Sequence, residues 1–194
     1  MPEVSFYFDL GSPFAYLAAE RIADTLPLTP SWQPVSLGAL FKLTGRSSWA
    51  LGDPARRQAG MAEVERRARL YGLAPVRWPD PWPSNYLFAM RAATFAQQSG
   101  YGQAFARQAF RHAFRDGHDL ATREHVLEVA RQVGLDPDAV AQVAVEERVK
   151  LALRQATDAA HALGVFGVPT VAVGAELFWG EDRLSDAAAA LGPM

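Results

Sequence analysis

The sequence predicts an α/β protein whose small sheet, drawn from both ends of the chain, is interrupted by an all-helical insertion. Three observations predict it. A β-branched and aromatic run, Val4-Ser5-Phe6-Tyr7-Phe8, opens the chain. The middle carries apolar residues at helical spacing, punctuated by glycine and proline. Two short β-like runs near the end, Thr170 to Val173 and Glu176 to Trp179, are split by Gly174-Ala175 as in a hairpin. On this reading residues 1–36 and 146–194 form one discontinuous domain, and residues 37–145 form the helical insertion.

Each element has its own signal. Val4–Phe8 is bounded by Asp9-Leu10-Gly11-Ser12-Pro13, so it reads as a strand ending in a turn. After Pro13, residues Phe14, Leu17, Ala18 and Ile22 recur at helical spacing. Leu28 to Val35 reads as a second strand, which Pro30 and Pro34 mark as an edge or irregular one. Asp53 to Leu70, rich in Ala, Arg and Glu, reads as a helix that Gly72 stops. Further helices are expected over Asn85 to Gln98 and Gln103 to Phe114, with another capped by Thr122 and one opened by Asp136-Pro137. The stripe Val149, Ala152, Leu153, Ala156, Ala160 and Leu163 predicts a long helix ending at Gly164, and Leu184 to Leu191 a short last one.

Composition narrows the chemistry. Of 194 residues, 49% are hydrophobic and 21% charged, enough for a buried core under an ordinary soluble surface. Nineteen basic residues against 21 acidic ones leave a net charge of −2 without a basic run, which argues against a nucleic-acid partner. Neither a signal peptide nor an apolar run of bilayer length is visible, so a cytoplasmic protein without membrane contact is expected. There is no cysteine, which excludes disulfides and protein thiolates. The four histidines show no metal-ligand spacing, so no metal is expected.

Four stretches could carry chemistry. Ser12-Pro13 lies where a strand becomes a helix; Ser is a preferred N-cap and Pro a preferred first residue, and the same geometry makes an anion site. Gly164-Val165-Phe166-Gly167-Val168-Pro169-Thr170 reads as a helix stop and a turn into a strand, with either isomer of Val168-Pro169 open. Phe178-Trp179-Gly180-Glu181-Asp182-Arg183 is a strand end whose acids suit a helix start, or could hold the amine of an amino-acid-like ligand. Trp78, Trp82, Tyr86 and Phe88, around a proline-rich loop, are either core or the wall of an aromatic-binding pocket, whereas Lys42, Arg46 and Arg91 read as solvated surface.

Together these stretches resemble a known family. The run Phe6 to Ala18 is similar to the opening of 2-hydroxychromene-2-carboxylate isomerases, and Gly164–Thr170 and Phe178–Leu184 are similar to their closing motifs. Arg66-Arg67-Ala68, Tyr71-Gly72-Leu73, Asn85 and Met90-Arg91-Ala92 extend the resemblance through the middle. The resemblance implies a thioredoxin-like fold with a helical insertion, as in kappa-class glutathione transferases and DsbA-type oxidoreductases. Ser12 then stands where the redox relatives carry the first cysteine of Cys-x-x-Cys.

What the resemblance implies for function is specific. Glutathione is the expected cofactor, with Ser12 as the catalytic residue that holds its thiolate. Val168, before a cis Pro169, would pair with the cysteinyl segment, and Gly180, Glu181 and Asp182 would hold the γ-glutamyl end. Lys42, Arg46 and Asn85 would line the site of a small aromatic-derived carboxylic acid, and a homodimer is expected. The activity implied is cis–trans isomerisation; a kappa-like transferase or peroxidase and a non-catalytic binding module are the alternatives. Gly11 stands where the family often has a bulkier residue, Arg46 where relatives often have Asn, and Glu181 where they have a small polar residue.

Overall fold

The computed structural model describes residues 3–192. A four-stranded sheet has the order β2-β1-β3-β4, from β1 (Val4–Phe8), β2 (Ser31–Pro34), β3 (Thr170–Val173) and β4 (Glu176–Trp179). β1 pairs parallel with β2, setting Phe6 beside Trp32, and antiparallel with β3, setting Phe6 beside Val171. β3 and β4 form the expected hairpin. The second strand is shorter than Leu28 to Val35 and lies at the edge, where Pro34 forfeits no interior ladder bond.

All five residues of β1 are buried, which is why its sequence is an apolar run rather than an alternation. Strand alternation still sorts its side chains between two cores. Phe6 and Phe8 point into the larger one, where both meet the Trp32 ring and Phe8 meets Phe110. Tyr7 points into a smaller core with Val35, Leu40, Ala160 and Val168. The larger core is built by α1 (Pro13–Thr25), α4 (Leu87–Gln98), α5 (Gly102–Phe114), α6 (Arg123–Gln132), α7 (Pro137–Val143) and α9 (Leu184–Ala190). Leu40 and Ala160 of the smaller core come from α2 (Leu37–Thr44) and α8 (Glu147–Ala162). α3 (Pro54–Leu70) contributes Val64 and Ala68 to the larger core, and a 3-10 turn at Trp49–Leu51 precedes it.

The predicted helices are present, with starts shifted by one or two residues and α2 added. Ser12 and Asp136 cap as expected, each accepting a backbone N–H, and Asp53 proves to be the cap of α3 rather than its first residue. Thr122 occupies the N-cap position of α6 but its side chain makes no capping bond. Among the described residues no helix is long and apolar enough to cross a membrane.

The segment between β2 and β3 gathers three of the four histidines. His112 and His118 stack with ring centroids 4.2 Å apart, and His125 lies 5.6 and 4.8 Å from them. No group of three or more His, Cys, Asp or Glu side chains among the described residues is arranged to hold a metal ion. His112 is buried with Nε2 unpartnered; burial first, and then His118 and His125, hold its pKa below the ordinary value against the pull of Asp116 and Glu128. A histidine kept neutral in the fold but free to protonate when unfolded makes stability fall as pH drops below about 6.5. Urea denaturation at pH 7.5 and 5.5 is expected to show that loss, and His112→Phe to shrink it; an equal pH slope in the variant would refute the assignment.

Candidate functional site

Ser12 sits where β1 hands over to α1, and three bonds fix the turn. The Ser12 N–H donates to the Asp9 carbonyl at 3.0 Å, and Ser12 Oγ accepts from the Ala15 N–H at 3.2 Å. Asp9 Oδ1 accepts from the Gly11 N–H at 2.8 Å, while its Oδ2 accepts from the Leu37 N–H at 2.7 Å. One buried carboxylate therefore fastens both the Ser12 turn and the start of α2. Burial pushes the Asp9 carboxyl up and the two N–H donors pull it down. Because Oγ accepts from the helix, the Ser12 hydroxyl proton is free to point away from it. It faces a cavity.

That cavity encloses about 450 Å³, within the range of small-molecule sites. Its walls are largely aromatic: Phe14, Phe41, Trp49, Trp82, Tyr86 and Trp179. Trp49 packs on Phe14 and Trp82 at centroid distances of 6.1 and 5.3 Å. Gly11 is required by close approach, because a Cβ there would lie 2.6 Å from the Tyr86 ring. Burial pushes the Tyr86 hydroxyl up to about 12, so it stays protonated at neutral pH.

Gly167 and Val168 belong to the same wall as Ser12. Val168-Pro169 is cis, and Val168 lines the cavity with neither its N–H nor its carbonyl hydrogen-bonded among the described residues. Arg46 supplies a cation at the mouth; its guanidinium lies 4.5 Å from the Phe166 ring and 5.6 Å from the Trp179 ring, and it makes no ion pair among the described residues. Gly180 follows Trp179, donates its N–H to the Pro169 carbonyl at 2.9 Å, and adopts φ 115°, a conformation natural only to glycine.

Of the residues singled out in the sequence, the structure brings Ser12, Val168 and Arg46 to one cavity. Lys42 is not among them: Phe41 faces the site, and Lys42 lines a different cavity on the other side of α2. Asn85 is exposed and accepts the Leu87 N–H, which starts α4. Gly180, Glu181 and Asp182 lie beside the Val168-Pro169 turn without lining the cavity. The Glu181 side chain, 1% exposed, is held by Arg21 at 3.1 Å and by Arg67. Asp182, 56% exposed, lies 3.5 Å from the Arg67 guanidinium. Trp82 and Tyr86 prove to be cavity wall, whereas Trp78 and Phe88 pack on the core. Phe14, Phe41 and Trp49 were missed; the signal for Phe41 was there in Ser36, Leu37, Leu40 and Gly45, which spell a capped helical turn.

Residues 3–192 match the DSBA-like thioredoxin domain. The chain belongs to that family. It is 28% identical over 190 residues to a 2-hydroxychromene-2-carboxylate isomerase of Sphingobium xenophagum, covering 93% of each chain. It is 25% identical to glutathione S-transferase kappa 1 of Caenorhabditis elegans, over 94% of this chain and 88% of that one. The solved structure of a 2-hydroxychromene-2-carboxylate isomerase superposes with a TM-score of 0.85 at 25% identity, over 97% of this chain and 94% of that one. The thioredoxin-like fold implied by the sequence is thereby established, and its relatives include named isomerases.

The aromatic wall makes a testable demand on α3. A Cβ at Gly60 would lie 2.2 Å from the Trp49 ring, which Phe14 and Trp82 hold from the other side. Helix propensity alone favours Gly60→Ala by about 1 kcal/mol. Overpacking opposes it by about 1–3 kcal/mol. The variant is expected to be destabilised in urea and to shift tryptophan emission, as Trp49 moves into the cavity; a more stable protein with unchanged emission would show that the ring yields freely.

Proposed function

We propose that the protein is a glutathione-dependent cis–trans isomerase of 2-hydroxychromene-2-carboxylate-type acids. One observation carries the reading: in a chain without cysteine, a serine at a helix N-terminus shares a cavity with Val168, whose backbone is unpaired among the described residues. That pair suits a peptide-like thiol, whose backbone would pair with Val168 and whose sulfur would lie at Ser12. The chemistry supplied by bound glutathione is a nucleophilic sulfur, which turns a conjugated double bond transiently single and frees it to rotate.

The chain's own residues do the rest. Ser12 donates its hydroxyl proton toward the sulfur and, with the Phe14 N–H and the dipole of α1, favours the thiolate. Asp182 offers an exposed carboxylate to the γ-glutamyl amine; Glu181, spent on Arg21 and Arg67, instead fixes the segment that presents it. Arg46 takes the substrate carboxylate, and the aromatic walls sandwich its planar body and exclude water. Lys42 and Asn85 are left out of this assignment because neither lines the cavity. In keeping with the family resemblance, we read the protein as a cytoplasmic homodimer.

The names of the relatives support this reading, and the kappa-class relative favours a second one at the same site, transfer of glutathione to an electrophile. Product decides. Isomerisation of 2-hydroxychromene-2-carboxylate is expected to require glutathione and to regenerate it. Accumulation of a stable conjugate would replace the isomerase by a transferase. No thiolate absorption on adding glutathione, and no turnover, would overturn both.

A further inference from the structure

A second cavity, of about 520 Å³, lies on the far side of α2, between that helix, the start of α4 and one face of α8. α2 is a party wall. Leu37, Gly38 and Phe41 face the Ser12 site, whereas Ala39, Lys42 and Leu43 face the second cavity.

The wall of this cavity joins two chemistries. Leu43, Leu87 and Leu151, which are 50%, 44% and 51% exposed, all line it; they are three of the nine large apolar side chains left exposed among the described residues. Around them stand four cations, Lys42, Arg91, Lys150 and Arg154, against two carboxylates, Glu147 and Asp158. Lys150 is paired with Glu147 at 2.6 Å, and the other three cations make no ion pair among the described residues. The chain as a whole carries a net charge of −2, so this positive excess is local. Of the two hydroxyls in the wall, Thr157 Oγ1 donates to the Leu153 carbonyl and accepts from the Ser36 N–H, whereas Ser36 Oγ only accepts, from the Ala39 N–H.

We propose that this cavity binds a small organic anion with an apolar body, a carboxylate on an aliphatic or aryl chain, at a site separate from Ser12. The leucines bury the body and the unpaired cations take the carboxylate, Arg91 and Arg154 being suited to forked recognition. The volume suits a small ligand. A second copy of the chain would need a broad complementary face of about 800 Å². A concave cationic hollow does not offer one.

Decanoate is the probe, titrated by calorimetry into the full chain below its micellar range. Saturable binding is expected, weakened at least tenfold in the double variant Arg91→Gln/Arg154→Gln and unchanged in Arg46→Gln. Decanol, which lacks the charge, is expected to bind at least tenfold more weakly. Leu151→Gln, at an exposed position, provides a second variant should the double one fail to fold, and is also expected to weaken binding. The proposal is overturned if decanoate does not saturate, if decanol binds equally, or if Arg46→Gln rather than the double variant abolishes binding. It is equally overturned if sedimentation shows a dimer that Leu151→Glu dissociates while decanoate has no effect on it, which would assign the hollow to a second copy. Glutathione binding to the double variant separates failure here from failure of the isomerase reading, because neither arginine touches the Ser12 site.

Discussion

Ser12→Ala is expected to slow glutathione-dependent isomerisation by about 10²–10³-fold, the usual cost of deleting a donor aimed at a developing or resting anion. The same change removes the N-cap of α1, so a loss of about 1 kcal/mol in stability is expected beside it. The two effects are separable. Ser12→Asp restores a capping acceptor of comparable strength but places a negative charge against the thiolate. It is expected to recover stability and remain inactive. Full activity with an intact thiolate band in Ser12→Ala would remove Ser12 from the chemistry and leave it a cap.

Glu181→Ala is expected to destabilise the protein by about 3 kcal/mol, the low end of the range for breaking a buried pair, because both arginine partners keep some access to water. Two guanidiniums, 22% and 24% exposed, would lose the carboxylate between them, Arg67 keeping Glu63 at 2.7 Å and Asp182 at 3.5 Å while Arg21 keeps no acid among the described residues. Glu181→Gln keeps the shape and the hydrogen-bonding oxygen, so a smaller loss is expected. Urea denaturation of the three proteins checks both. Equal stability of all three would mean that the ion pair only repays the desolvation of its members, as buried pairs can. The alanine variant is further expected to weaken glutathione binding, since Glu181 fixes the turn that presents Asp182.

How much of this was legible in the sequence follows from the distance over which each signal acts. β1, the closing hairpin and the caps at Ser12 and Asp136 are written in neighbouring residues, and they stand where the sequence puts them. α2 was missed because Gly38 breaks the stripe of an eight-residue helix. That omission explains the misplaced Lys42. Successive residues of a helix point about 100° apart. Assigning the cation to the site without knowing its helical phase therefore chose the wrong neighbour of Phe41. The role of Glu181 was beyond local reading, because its partners Arg21 and Arg67 lie 160 and 114 positions away. The aromatic walls were half legible: the residues stood out, but only packing decides that Trp82 and Tyr86 bound a cavity while Trp78 and Phe88 only pack against the core.

The grip of Asp9 on both Gly11 and Leu37 has a mechanical meaning. The Ser12 turn and the first residue of α2 hang from the two oxygens of one side chain, so they move as a single lever rather than as two parts. The other face of that lever lines the cationic cavity. A ligand that displaces α2 from either side works against the same short bonds, and thermodynamic reciprocity then ties the two occupancies together. Whatever factor an anion behind α2 imposes on thiol affinity, the thiol must impose on the anion.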